Sequence, residues 1–109
     1  MSEYITIYST FKNKEQAHEV ARALVLHKLA ACVNIIPVVE SVYSWQGKLE
    51  SSTEAAFIAK TTKKLFAEAR NLIVQMHSYE VPCIVSYEIN EGFEPFLGWI
   101  EKETQIPNN

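Results

Sequence analysis

Two long extended-type runs dominate the middle of the chain. The first is LAACVNIIPVVESVYSW, residues 29–45, and the second covers residues 49–61. Only Gln46, Gly47 and Lys48 separate them, and a glycine in so short a link predicts a hairpin turn. A strand of about 15 residues reaches roughly 50 Å. A compact chain of 109 residues has a radius of gyration of only ~13 Å. The tip of the hairpin must therefore overhang the body. It carries Val39, Val42, Tyr43, Trp45 and Leu49, which are costly to leave in water. Bare edge strands also invite pairing with another chain. These features predict a homo-oligomer with Tyr43 and Trp45 at the interface. Pro37 cannot donate to a ladder, so a bulge or an edge is expected there.

The rest of the chain supplies the elements around this hairpin. Residues 3–10, EYITIYST, alternate in polarity and are rich in β-branched and aromatic types, which predicts a strand. Asn13 followed by Gln16 has the spacing of a capping box. Ala17, Val20, Ala21, Leu24 and Val25 then recur at helical spacing over residues 15–28. Thr62 is expected to cap a second helix whose stripe is Leu65, Ala69, Leu72, Ile73 and Met76. CIVSYEI, residues 83–89, reads as a last strand. Pro95 can start a closing helix with Phe96 and Trp99 as its core anchors. The order β-α-β-β-α-β plus a C-terminal helix predicts an α+β, ferredoxin-like antiparallel sheet with both main helices on one face, in a single domain over residues 1–109. The opposite sheet face has no evident cover, which again favours several copies packed together.

Composition removes most catalytic and nucleic-acid classes. There is no aspartate: all 13 acidic residues are glutamates. This excludes an EF-hand loop and the aspartate-dependent magnesium sites of kinases. The three glycines, Gly47, Gly92 and Gly98, do not cluster into a phosphate-cradling loop. The formal charge of −3 and the absence of a basic block argue against nucleic acid. RNA-binding domains share this element order but need a glycine-aromatic signature on the third strand, where this chain reads EAAFIAKT. Acylphosphatase chemistry would need an arginine cradle, and Arg22 and Arg70 both fall in predicted helices. No run approaches the ~18 apolar residues of a membrane helix, and the N-terminus lacks the pattern of a signal peptide. The expectation is a non-enzymatic cytoplasmic protein without a membrane partner, with Cys32 and Cys83 as reduced thiols.

Five segments in order, LAACVNIIP, SVYSWQGKLE, AKTTKKLF, HSYEVPCI and FLGWIEKET, resemble the CutA family of divalent-cation tolerance proteins. The resemblance runs from about residue 5 to residue 104. It implies a ferredoxin-like subunit in a tight homotrimer shaped like the PII signalling proteins, with a role in copper tolerance and no enzymatic activity. The family's metal-associated cysteine falls on Cys32, and the histidine of its HPYE element falls on His77, followed by Tyr79 and Glu80. Ser78 stands where proline is usual, and Cys83 where glutamate is common.

The stretch MHSYEVPC, residues 76–83, therefore has two readings. As a site, Cys32 thiolate and His77 imidazole are good ligands for Cu(II) or another divalent cation, and Glu80 can add an oxygen. As structure, His77 is an exposed turn residue past a helix end that carries little packing, Pro82 leads the last strand, and Cys32 is a small buried hydrophobe. The alternative function is a PII-like small-ligand sensor or interaction scaffold, with a cleft between subunits lined by Cys32, His77, Tyr79 and Trp45.

Overall fold

The computed structural model describes residues 3–105. Its elements run β1 (Tyr4–Phe11), α1 (Lys14–Leu26), β2 (Cys32–Trp45), β3 (Lys48–Thr62), α2 (Phe66–Met76), β4 (Ile84–Glu88) and α3 (Glu94–Glu103). The four strands form one antiparallel sheet in the order β2-β3-β1-β4. This is the α+β architecture expected from the element order.

Strand alternation sorts the sheet into two faces. Ile5, Ile7 and Phe11 of β1 lie beside Phe57 and Ala59 of β3 on the inner face, all buried. Helix α1 adds Ala17, Val20, Ala21 and Leu24, and α2 adds Ala69 and Ile73, to make one apolar cluster. Phe11 and Phe57 meet with ring centroids 4.7 Å apart at its centre. The outer face carries Tyr8, Ile36, Ile58, Val85 and Tyr87, set by the pairing register. Val85 and Tyr87 there are exposed in the single chain.

Local chemistry fixes the ends of α1. The Asn13 side chain accepts from the backbone N–H of Gln16 at 2.9 Å, a direct N-cap. The reciprocal half of the box is not made, because Gln16 Oε1 accepts from Ser78 instead, at 3.0 Å. At the other end Lys28 takes a left-handed φ of 58°. The N–H of Leu29 then reaches the Leu24 carbonyl at 2.8 Å and that of Lys28 reaches Val25 at 3.1 Å. This is the Schellman pattern with lysine where glycine is usual.

The overhang is present. Principal extents are 50 × 29 × 22 Å and the radius of gyration is 14.7 Å, above the ~13 Å of a compact chain this size. Beyond Phe11, which pairs with Ala55, β3 continues without β1. The pairing of β2 with β3 shifts between Ile36 and Val39, so Pro37 and Val38 form the irregularity that proline predicted. At the tip Gln46 and Gly47 have φ of 51° and 80°, and Trp45 pairs with Lys48. Two positive φ values are what a two-residue hairpin turn requires.

Two local expectations need correction. Thr62 makes no side-chain cap. A short 3-10 turn, Lys63–Leu65, intervenes before α2, and the Thr62 hydroxyl is buried without a partner. Ile100, rather than Phe96 and Trp99, is the buried residue of α3; the two aromatics pack on each other, centroids 5.6 Å apart, and remain 40% and 39% exposed.

Candidate functional site

The turn between α2 and β4 converges on the end of β1. His77 follows the last residue of α2, and its backbone N–H still bonds the Ile73 carbonyl at 2.9 Å. Its ring stacks on Phe11, centroids 4.7 Å apart and planes 17° apart. His77 Nε2 lies 2.7 Å from the Thr10 carbonyl oxygen, and the Tyr79 backbone N–H points to Nδ1 at 3.1 Å. A carbonyl only accepts and an amide N–H only donates, so Nε2 carries the proton and Nδ1 accepts. The arrangement needs a neutral imidazole. Burial, the leading cause, holds the His77 pKa below its usual value, although the Thr10 bond and Glu54 oppose it. His77 is thus a half-buried pin for the turn, and the expectation of an exposed residue with little packing is corrected.

Tyr79 continues the chain of contacts. Its ring lies 4.8 Å from that of His77, and its hydroxyl donates to Glu54 Oε2 at 2.7 Å. Burial and then the Glu54 carboxylate push its ionisation well up, so the phenol stays a donor. Glu54 is the β3 residue just past the last rung shared with β1. At the far end of the turn, Ser9 Oγ donates to the Cys83 carbonyl at 2.6 Å, which sets the entry of β4. Cys83 is exposed, yet desolvation by its neighbours and then Glu54 push its thiol up, which disfavours the thiolate.

Cys32 and Glu80 lie elsewhere. Cys32 is half-buried at the first position of β2 and pairs with Lys60. His77 is bonded to Thr10, whose rung partner is Ala56. Four rungs along and two strands across separate those positions, roughly 16 Å at ordinary sheet spacings. Glu80 is exposed in the turn. One chain therefore does not bring Cys32, His77 and Glu80 together, and among the described residues no group of three His, Cys, Asp or Glu could hold a metal ion. Tyr43 and Trp45 lie on the same face of the hairpin and are 42% and 49% exposed, in keeping with surfaces that another molecule could cover.

Sequence reasoning passed over Glu54 and Thr10. Glu54 could have been flagged as a lone carboxylate at the start of the buried part of β3. Nothing in the sequence pointed to a backbone carbonyl on β1.

A sheet of this order, with an overlong projecting hairpin and the His-Ser-Tyr-Glu turn closing on β1, defines a small α+β protein with a four-stranded antiparallel sheet. Residues 5–103 match the family described as CutA1 divalent ion tolerance protein, and the chain belongs to that family. Among relatives, the divalent-cation tolerance protein CutA of Archaeoglobus fulgidus is 44% identical over 99 residues, 91% of this chain and 96% of that protein. The chloroplastic protein CutA of Arabidopsis thaliana is 38% identical over 101 residues, which is 93% of this chain but 56% of that protein. The solved structure described as the periplasmic divalent cation tolerance protein CutA of Archaeoglobus fulgidus superposes with a TM-score of 0.91 at 42% identity, covering 94% of this chain and 99% of the other. Among the described residues no helix is long and apolar enough to cross a membrane.

Proposed function

We propose that this chain is a divalent-cation tolerance protein that works as a cytoplasmic homotrimer and takes up Cu(II), or another divalent cation, without catalysing a reaction. The family's description supports the cation. The observation that carries the assembly is the uncovered apolar surface of the single chain. Val42, Tyr43, Trp45 and Leu49 on the two faces of the hairpin, and Val85 and Tyr87 of the outer sheet face, are all exposed, the kind of apolar surface that marks an interaction site.

The ligand set of this reading is Cys32, His77 and Glu80. Because one chain holds them apart, they would have to meet across subunit boundaries. Thiolate and imidazole suit copper. A cation at His77 Nδ1 must displace the Tyr79 N–H, which makes the affinity modest. Calorimetric titration of the assembled protein with Cu(II) and Zn(II) tests this. The expected result is saturable Cu(II) binding that weakens at least tenfold in Cys32→Ala with the oligomer mass unchanged. Absence of Cu(II) binding, or the same affinity in the variant, would overturn the assignment.

A further inference from the structure

The hairpin leaves the body at one height on both of its strands. On β2 the ladder shifts between Ile36 and Val39. Bulged strands bend and twist locally, so this is where the overhang can swing. On β3 the first rung past the shift is Val39 opposite Glu54, and Glu54 is also the first residue beyond the support of β1. Tyr79 is fastened to the body through the two residues before it. Its own N–H is held by His77 Nδ1 at 3.1 Å, and His77 is bonded to Thr10 and stacked on Phe11. The neighbouring Ser78 hydroxyl bonds Gln16 of α1 at 3.0 Å. From this anchored turn the phenol reaches across to the Glu54 carboxylate at 2.7 Å.

We propose that Tyr79 is a brace: its hydrogen bond to Glu54 fixes the angle at which the β2–β3 hairpin projects from the body, with the Pro37-Val38 bulge as the hinge. A swing of the overhang about the bulge moves Glu54 relative to the end of β1. The Tyr79 bond opposes that swing because its other end is tied to β1 and α1. Hydrogen bonds to a charged acceptor are about twice as strong as neutral ones, and partial burial of both side chains limits competition from water. A hairpin held at one angle presents Tyr43 and Trp45 on one face, and Val42 and Leu49 on the other, in preset positions. The brace concerns the single chain. Its consequence for assembly rests on the trimer proposed above.

Hydrogen exchange read by mass spectrometry tests it on the full chain, with oligomer mass measured in parallel by light scattering. Tyr79→Phe keeps the ring against His77 and removes only the hydroxyl. It should speed exchange of the hairpin amides over residues 39–54 by about tenfold or more, with α1 and the inner rungs of β1 unchanged. Glu54→Gln weakens the same bond, and the double variant should exchange no faster than Tyr79→Phe alone. Unchanged hairpin exchange in Tyr79→Phe would overturn the brace whatever the oligomer mass. So would an equal acceleration throughout the chain, which would make Tyr79 a general packing residue. A monomeric wild-type protein with a faster hairpin in Tyr79→Phe would keep the brace and refute the trimer instead.

Discussion

Replacing Trp45 by alanine should loosen the assembly far more than the subunit. In the single chain this residue keeps 49% of its surface exposed, at the end of a hairpin with no body beneath it. A large aromatic side chain buries about 150–250 Å² when fully covered, so close to 100 Å² remains for a partner to cover. At ~25 cal/mol/Å² that area is worth about 2 kcal/mol per subunit once the retained β-carbon is discounted. In the proposed trimer three equivalent contacts would total about 6 kcal/mol, or roughly four powers of ten in its dissociation constant at ~1.4 kcal/mol per decade. The fold itself should change little, because Trp45 lies outside the cluster built on Phe11 and Phe57. Sedimentation equilibrium over a wide concentration range reads the first quantity and urea unfolding of the dissociated chain the second. If the variant stays trimeric to the same dilution as wild type, the hairpin tip is not the contact. If it unfolds as a subunit, Trp45 belongs to the body.

His77 makes stability depend on pH. Its pKa is lowered in the folded chain, so the unfolded chain binds more protons over the interval between the folded value and the ordinary ~6.5. Stability should be full above about pH 6.5, fall as the pH drops through that region, and level off below the folded value. The urea midpoint followed from pH 8 downward measures this, and His77→Gln should remove the part of the decline that belongs to this residue. A midpoint that rises on acidification through pH 6 would contradict the neutral, accepting Nδ1. Lys28→Gly should raise the unfolding free energy by about 1 kcal/mol, since the left-handed φ of 58° strains any residue with a β-carbon. No gain in thermal or urea unfolding would mean that the lysine side chain contributes an interaction of its own.

What could be read from the chain follows the range of each signal. The alternation in EYITIYST and the 3.6-residue spacing of Ala17, Val20, Ala21 and Leu24 are local, and both elements formed there, the strand one residue later than read, at Tyr4–Phe11. The hairpin was legible from length alone, since two runs of that extent around Gln46-Gly47 exceed any compact body, and the 50 Å extent bears this out. Phe96 and Trp99 misled because aromatic size was taken as a mark of burial, whereas Ile100 lies on the covered side of α3. Thr62 misled because a threonine before a helical stripe resembles a cap, yet the chain inserts a 3-10 turn first. The turn at residues 76–83 was the least legible part. Its placement depends on the Thr10 carbonyl, the Phe11 ring and the Glu54 carboxylate, two of them on β1 and one on β3. Such partners lie 25 to 67 positions away in sequence, and no local pattern selects them. Cys32 and His77 entered one ligand set through the family resemblance, and the sheet register, which puts their rungs well apart in one chain, was not legible in the sequence.

Native mass spectrometry of the purified protein, sprayed from a volatile buffer after addition of Cu(II), tests the central claim in one spectrum. The account predicts a dominant species of three chains carrying bound copper, and loss of the copper but not of the trimer in Cys32→Ala. A single 12.4 kDa chain, or a trimer that takes up no copper, would contradict it.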